Sequence, residues 1–228
     1  MPGAWEILQI RANSVAIGQI SLSDARVTKN WAKALINLQR PQGGAILDTR
    51  GLPYAPARNN VLKRFLEEGP WGWLFFLDDD VILPPDALMK LLASGRDYIA
   101  GMYYQRFAPF APAHGVAQHN AEGKVQKGPL PPYTPGEIIP ADLIATGATL
   151  MSRRCVEAMA KRYPRPFEWG FDIAPVPTEG GGFLEAISED YLFSTRANAL
   201  GFRSYIHTGV QGRHEFRAVA TMQGAEMA

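Results

Sequence analysis

Cysteine, net charge and long apolar runs are scarce in this sequence, and each scarcity excludes a class of protein. The 228 residues include a single cysteine, Cys155, so no disulfide can form within the chain. Lys and Arg number 23 against 22 Asp and Glu, which gives none of the basic field that nucleic-acid-binding proteins carry. Even the apolar run WLFFL stops at three aspartates, far short of a membrane span. We therefore expect no disulfide framework, no nucleic-acid partner and no transmembrane segment.

The first residues and the lone cysteine suggest a compartment. The stretch MPGAWEILQIRANS lacks a basic region followed by a long apolar one, so we expect no signal peptide. A single cysteine fits a reducing environment, which predicts a cytoplasmic protein. Arg153 and Arg154 precede Cys155 and could lower the pKa of its thiol, but a buried, small apolar side chain is the preferred interpretation.

Strand-like and helix-like segments alternate along the chain. Short β-branched or aromatic runs between glycines and prolines predict strands at 14–20, 44–48, 73–77, 97–101 and 203–207, with a further ordered apolar segment at 142–151. Apolar residues at helical spacing and capping signals predict helices at 26–40, 59–68, 84–93, 152–163 and 188–201. This alternation predicts an α/β fold with a mostly parallel central sheet flanked by helices.

Two segments show little periodicity. Prolines and glycines are frequent in residues 107–140, which predicts a functional loop or a pair of irregular strands. The pattern loosens again from Pro164 to Phe183, where the three glycines 180–182 predict a pliable hinge beside the following helix.

Three consecutive aspartates, Asp78, Asp79 and Asp80, follow directly after WLFFL. Neighbouring carboxylates repel one another, and a buried strand end makes their charges still less favourable. In an extended chain Asp78 and Asp80 point to one face and Asp79 to the other, with the outer two Cα atoms roughly 6.5 Å apart. Mg²⁺ or Mn²⁺, which binds one or two carboxylates together with substrate phosphates, would neutralise such a pair. A turn whose aspartates face water is the alternative.

Two well-known carboxylate motifs do not fit this stretch. The magnesium strand of phosphate-loop NTPases requires a G-x-x-x-x-G-K-[ST] loop, which the sequence lacks. An EF-hand calcium loop requires regularly spaced acids and a central glycine, and DDDVILPPD has neither. Both classes are therefore excluded.

The stretch LFFLDDDVILPPDAL resembles the D-x-D region of nucleotide-sugar glycosyltransferases with the GT-A fold, and most closely the small family-2-like enzymes of bacteria and phages. Further segments match that family in order, namely PARNNVLKRFLEEG, DLIATGATLMSRRCVEAM, SEDYLFSTRANALGF and YIHTGVQGRHE. The resemblance extends from about Val15 to His214 and implies one GT-A-like domain over 1–228. It implies a nucleotide-sugar-binding half at about 15–105, an acceptor and catalytic half at about 140–215, and the Pro-rich loop region 107–140.

The resemblance implies a divalent metal site that uses the aspartates. Asp80 would be the main ligand of Mn²⁺ or Mg²⁺, which bridges the donor diphosphate, and Asp78 would contact the donor ribose or share the metal. His214 matches the family's terminal histidine and would complete the metal shell, although Arg213 departs from the Gly-His pattern and His207 is a competitor. Asp79 receives no role.

Glu189 and Asp190 open the segment that resembles the family's Glu-Asp helix. Acids in a first turn are stabilised by the helix dipole whatever their function, so capping is the alternative explanation. The resemblance implies that Asp190 is the general base for the acceptor hydroxyl and that Glu189 positions a sugar. It also implies direct displacement with inversion at the anomeric carbon.

The remaining predicted contacts belong to donor and acceptor. Ligands bind at the carboxyl ends of parallel strands, which selects as donor-binding residues Ser21, Asp24, Arg26, Asp48 and, from the Ala-Arg-Asn resemblance, Arg58. Trp169 could stack on an acceptor sugar, with core packing as the alternative, and Gly147 lies in the acceptor-side segment. We expect a UDP- or GDP-sugar as donor and a glycan or small molecule as acceptor. The oligomeric state is not predicted.

Two other functions fit part of the pattern. A sugar-phosphate nucleotidyltransferase has a similar core but needs a glycine-rich basic loop after its first strand, and SLSDA contains no glycine. A non-catalytic nucleotide-sugar- or carbohydrate-binding module would not need Asp78, Asp80, Asp190 and His214 all intact.

Overall fold

A seven-stranded sheet forms the centre of the fold. The computed structural model describes residues 14–21, 27–106, 109–121, 124–168, 176–177, 183–184, 188–215, 218–221 and 224–227. Its strands are β1 (Val15–Ser21), β2 (Ala45–Arg50), β3 (Trp73–Leu77), β4 (Val81–Ile82), β5 (Tyr98–Met102), β6 (Val116–His119), β7 (Lys124–Gly128), β8 (Ile138–Pro140), β9 (Ala148–Ser152), β10 (Val176–Pro177), β11 (Phe183–Leu184), β12 (Tyr205–Gln211), β13 (Arg213–His214), β14 (Ala218–Thr221) and β15 (Gly224–Met227). The central sheet has the spatial order β2-β1-β3-β9-β5-β12-β8.

The direction of these strands confirms the predicted mostly parallel sheet. Strands β2, β1 and β3 pair in parallel, as do β5 and β12. Strand β9 pairs antiparallel with both β3 and β5, and β8 pairs antiparallel with β12. Five strands therefore run one way and two run the other, so that the carboxyl ends of β1, β2 and β3 meet at one edge.

Helices cover both faces of this sheet. They are α1 (Lys29–Asn37), α2 (Tyr54–Glu68), α3 (Ala87–Ala93), α4 (Arg153–Arg162) and α5 (Glu189–Ala199). Strand β3 shows how the two core layers form: Leu74 and Phe76 pack into the layer under α2, α4 and α5, whereas Phe75 and Leu77 pack into the layer under α1 and α3. Alternate side chains of a strand point to opposite faces, so a continuous apolar run fills both layers.

Several boundaries differ from the sequence-based predictions. Helix α1 begins at Lys29 because Thr28 caps it, with Trp31 N–H donating to Oγ1 of Thr28 at 3.1 Å. Helix α2 begins five residues before the predicted Asn59 and includes Pro56, which fits because first-turn N–H groups have no acceptor within the helix. Residues 142–147 form a loop before β9, although Leu143 and Ile144 within it are buried in the core.

The segment 107–140 contains strands where a loop was one expectation. Strands β6 and β7 pair antiparallel and belong to a four-stranded sheet of order β10-β11-β7-β6. Strands β13 and β4 form a separate pair, as do β14 and β15. Strands, as in the second alternative, therefore occupy part of this segment, but they include β8 as well as a regularly paired β6 and β7.

Two further predictions, on a transmembrane segment and on Cys155, can be compared with the described residues. No helix in that part of the chain is long and apolar enough to cross a membrane. Cys155 is fully buried, and burial raises the pKa of its thiol, so the interpretation as a small core side chain is confirmed.

Candidate active site

The three aspartates lie in a turn at the carboxyl edge of the sheet, and the extended conformation assumed for them is wrong. The N–H of Val81 donates back to the carbonyl of Asp78 at 3.2 Å. A turn does not alternate its side chains as a strand does. Asp78 accordingly contacts Arg58, whereas Asp80 contacts Arg106 and His214, and the shared face predicted from an extended chain no longer follows.

Backbone contacts from three distant segments hold this turn. The indole N–H of Trp31 donates to the Asp78 carbonyl at 2.8 Å. The Asp78 N–H donates to the Gly147 carbonyl at 3.0 Å, and the Glu215 N–H donates to the Asp80 carbonyl at 2.7 Å. The carboxylates are therefore presented by a frame that α1, the loop before β9 and the segment after β13 fix together.

Arg58 of α2 joins the turn to α5. Its side chain is almost fully buried and donates to both carboxylate oxygens of Asp78, at 3.2 and 3.3 Å, and to Glu189 at 3.4 Å. Burial acts to lower the pKa of Arg58, but the charges of three neighbouring carboxylates outweigh it and raise that pKa. The guanidinium is thus a permanent buried cation among the acids.

Glu189 and Asp190 occupy the first turn of α5, as predicted. Glu189 is buried, and burial followed by the charge of Asp190 raises its pKa. Asp190 is partly buried, and its pKa is also raised by burial, against the opposing charge of Arg58. Ser188 stands at the cap position of α5, but its side chain makes no capping hydrogen bond and its hydroxyl donates to Oδ1 of Asp190.

Asp80 and His214 lie side by side because strand β4, which follows Asp80 directly, pairs with strand β13, which contains His214. His214 is opposite Val81 in that pairing, and its Nε2 is 3.3 Å from Oδ1 of Asp80. Oδ2 of Asp80 is 3.0 Å from a guanidinium nitrogen of Arg106. His207, the competing histidine, lies in β12 with its Nδ1 accepting from the Gly209 N–H at 3.2 Å.

The orientation of His214 is set by its second nitrogen. Nδ1 is 2.8 Å from the carbonyl of Tyr104, and since a carbonyl only accepts, Nδ1 carries the proton of this hydrogen bond. A neutral ring then directs the Nε2 lone pair at a carboxylate oxygen. Such a pair is repulsive unless a proton or a cation lies between the two atoms. The ring of Tyr103 supports this orientation edge-on, with its centroid 5.5 Å from that of His214.

These residues fit a divalent cation held by two protein ligands. In octahedral coordination at about 2.1 Å, neighbouring ligand atoms are about 3 Å apart, close to the separation of Nε2 and Oδ1. Among the described residues, no three or more His, Cys, Asp or Glu side chains cluster closely enough to hold a metal ion on their own. A cation here would need further ligands from water or substrate, which is the usual arrangement for Mg²⁺.

The other predicted donor residues lie along the same edge. Ser21 ends β1, and its side chain hydrogen-bonds Asp79, the aspartate given no role; burial and then the charge of Asp80 raise the pKa of Asp79. Asp48 lies within β2, not after it, with Oδ2 accepting from Arg50 at 2.7 Å. Oδ1 of Asp48 is buried and has no hydrogen-bond partner in the described part of the chain. Asp24 and Arg26 lie outside the described residues.

On the acceptor side, Gly147 lies between the turn and Tyr103. Its N–H donates to the Tyr103 hydroxyl at 2.9 Å, and a Cβ at this position would be 2.8 Å from that oxygen and 3.1 Å from Oδ2 of Asp78. A side chain at this loop position would have to displace both groups, so glycine allows the close approach. The neighbouring Thr146 has a buried hydroxyl without a partner among the described residues. Trp169 and the three glycines 180–182 fall outside those residues.

Sequence reasoning missed Arg106, Tyr103 and Ser188. Arg106 stands in a loop and Tyr103 directly after β5, and the site residues that they contact, Asp80 and His214, are more than twenty residues away, so no local pattern marks them. For Ser188 the one available signal was its position two residues before Asp190.

Comparison with known proteins supports the fold assignment. No protein-family model and no curated protein sequence matches this chain. Among solved structures, A197 from STIV superposes with a TM-score of 0.57 and 17% identity, covering 94% of this chain and 92% of that one. GalNAc-T7, crystallised with UDP, GalNAc and Mn²⁺, superposes with a TM-score of 0.54 and 11% identity, covering 90% of this chain and 44% of that one. The mixed α/β architecture and these likenesses define a GT-A-like, Rossmann-like fold.

Proposed function

We propose that this protein is a glycosyltransferase that transfers a sugar from a nucleoside diphosphate to an acceptor hydroxyl and uses Mn²⁺ or Mg²⁺. The observation that carries the proposal is the pairing of Asp80 with an oriented His214 at the carboxyl edge of a GT-A-like sheet. The likeness to GalNAc-T7 in complex with UDP and Mn²⁺ supports the same class of donor.

In this proposal Asp80 and His214 hold the cation, and the donor binds along the carboxyl edge of the sheet within residues 15–105. When bound, the cation supplies positive charge that stabilises the departing diphosphate. Asp48, with its unpartnered buried oxygen, and Ser21 contact the nucleoside; Asp24 and Arg26 remain predicted contacts. Asp78 faces the donor ribose across the turn or shares the metal, while Arg58 fixes the Asp78 carboxylate. A direct contact of Arg58 with the donor stays a prediction.

Asp190 is the proposed base. Both hydrogen bonds to its side chain from described residues go to Oδ1, from the Ser188 hydroxyl and from the Tyr191 N–H at 2.9 Å. Oδ2 can therefore accept the acceptor proton. The acceptor oxygen attacks the anomeric carbon, its proton passes to Asp190, and the bond to the diphosphate breaks with its electron pair on the leaving oxygen. This displacement inverts the anomeric carbon. Glu189 positions a sugar, and Gly147 and Trp169 are the proposed acceptor contacts.

The test is donor binding and turnover by the full chain. We expect UDP- or GDP-sugars to bind in the presence of Mn²⁺ and to be hydrolysed slowly without acceptor. Asp80→Asn should lower metal-dependent UDP affinity at least about tenfold, because it removes a charged ligand. Asp142→Asn is the matched control; in the described part of the chain this carboxylate accepts a hydrogen bond from the Ala117 N–H at 2.9 Å. The proposal is wrong if no nucleotide sugar binds with any divalent metal. A chain that binds donor but transfers nothing to any acceptor would instead be a binding module.

A further inference from the structure

A cleft of about 970 Å³ opens beside His214, outside the set of residues assigned above to the donor. Its walls are helix α1, strand β4 with the two prolines that follow, residues 104–106 with Phe110, and residues 211–214. Because His214 lines the cleft and Arg106 contacts both the cleft and Asp80, its inner end adjoins the proposed metal pair. Anything bound there would lie next to the donor diphosphate.

The charged side chains that line this cleft are all basic. Lys33, Arg106 and Arg213 line it, and no Asp or Glu of the described chain does; Arg106 already pairs with Asp80, which leaves Lys33 and Arg213 as the cations that face the cleft. Between these cations lie four side-chain amides, those of Asn30, Asn37, Gln105 and Gln211; Asn30 also donates to Glu215 and Gln211 to the Thr208 carbonyl. Cations recognise phosphate or carboxylate through charge-assisted hydrogen bonds, and amides hydrogen-bond hydroxyl groups as donors and as acceptors.

Two aromatic side chains face the same space. Tyr104 is 37% exposed and Phe110 is 55% exposed, unusual for residues of this size. Phe110 also has φ of +55°, a left-handed conformation that is strained for an aromatic residue. Backbone bonds at the base of the loop, from Gln105 N–H to Ala111 O and from Ala113 N–H to Tyr103 O, both at 2.9 Å, hold this conformation. The fold thus keeps an exposed ring at the cleft.

We propose that the cleft binds an anionic saccharide, a sugar carrying a phosphate or carboxylate group, as the part of the acceptor substrate beyond the sugar unit whose hydroxyl reacts at Asp190. The rings pack on the apolar face of the sugar, the amides bind its hydroxyls, and Lys33 and Arg213 bind its anionic group. A neutral sugar would leave these cations unused. The inference rests on the proposed function, because it assigns a substrate class to the space next to the donor.

The experiment measures binding of defined probes to the full chain by calorimetry, with saturating UDP and Mn²⁺ present. The probes are glucose 6-phosphate, glucuronic acid, glucose and inorganic phosphate. We expect at least one anionic sugar to bind at least about tenfold more tightly than glucose and than phosphate. The stronger of the two anionic sugars identifies the charged group.

Variants locate the bound probe. The double variant Lys33→Met, Arg213→Met should weaken binding of the anionic sugar at least about tenfold, and Phe110→Ala should weaken it several-fold. The matched control is Lys29→Met, which removes an exposed charge from the same helix outside the cleft. UDP affinity in the presence of Mn²⁺ should be unchanged in all of these variants.

Each contrary result has a distinct meaning. If UDP binds but the anionic sugars bind no better than glucose, or the double variant binds them normally, the inference is overturned and the proposed function stands. Displacement of the sugar by UDP would assign the cleft to the donor and overturn the inference too, as would phosphate binding as tightly as glucose 6-phosphate. If the anionic sugar binds as expected but UDP does not bind with any divalent metal, the proposed function is wrong and the cleft's ligand class is retained.

Discussion

At the scale of single residues, Asp190 is the side chain whose environment most directly affects the proposed reaction. Ser188 and the Tyr191 backbone hold its Oδ1, so the carboxylate is oriented before a substrate arrives. Burial raises the pKa of Asp190 above the ordinary value for aspartate. A base with a raised pKa is a better proton acceptor, provided that the pH keeps it ionised.

Asp190→Asn should retain UDP binding with Mn²⁺ and lower the rate of transfer by about 10²–10⁴-fold, the usual contribution of a general base. In the wild type, kcat/KM should fall as the pH falls through the raised pKa of the Asp190–Glu189 pair, because the protonated base cannot accept the hydroxyl proton. The measurement is a pH–rate profile with a fixed donor. Glu157→Gln, at an exposed site on α4, is the control and should keep the wild-type profile. Transfer at the wild-type rate in Asp190→Asn would reassign the base.

At the scale of secondary-structure elements, apolar patterns predicted most of the sheet and its helices. WLFFL was placed correctly as β3, because five consecutive apolar residues between a Gly-Pro segment and acids allow few alternatives. The pattern could not predict that the aspartates form a turn. Their conformation depends on hydrogen bonds from Trp31 and Glu215, residues at opposite ends of the chain.

Sequence could identify some residues of the candidate site but not the groups that contact them, because those contacts also depend on distant parts of the chain. Residues within one recognisable segment, such as Asp80 and Glu189, could be selected from sequence. The partners that orient them could not, because the Tyr104 carbonyl and the Arg106 guanidinium reach the site only through the pairing of distant strands. The bridge that Arg58 forms between Asp78 and Glu189 is a similar long-range contact.

Arg58 links three elements, namely α2, the turn after β3, and α5. Arg58→Met should destabilise the fold by about 3 kcal/mol, because it leaves buried Glu189 and part-buried Asp78 without their counter-charge. Urea unfolding at pH 7 measures the change in free energy. Adding Glu189→Gln should restore part of that stability, since it removes one uncompensated charge. Lys63→Met, an exposed cation on the same helix, should change stability by less than about 0.5 kcal/mol. If Arg58→Met and Lys63→Met lose similar amounts of folding free energy, the bridge has no specific role in stability.

At the scale of the whole molecule, buried titratable groups make stability depend on pH in opposing directions. Raised carboxyl pKa values at Glu189 and Asp190 mean that the folded state keeps protons that the unfolded state releases, so their contribution is lost as the pH rises. His114 acts the other way. Its Nδ1 accepts from the Ala145 N–H at 3.2 Å, so Nε2 carries the proton and donates to the Gly101 carbonyl at 2.9 Å. The neutral ring thereby ties β5 to the loop that carries Gly147.

Burial lowers the pKa of His114 to about 4, from 6.5 in the unfolded chain. Below pH 6.5 the unfolded state therefore binds a proton that the folded state refuses, and stability falls until the pH reaches about 4. Between pH 7 and pH 5 this residue should cost about 2 kcal/mol of folding free energy. His114→Gln should be less stable at pH 7, because it loses the ring contact with Tyr103, but its further loss between pH 7 and pH 5 should be smaller by that amount. Urea titrations at both pH values measure the difference; His207→Gln, whose partly exposed ring also has a pKa lowered by burial, should reduce the acid loss by less. Equal acid losses in the wild type and His114→Gln would show that His114 becomes protonated in the folded state without penalty.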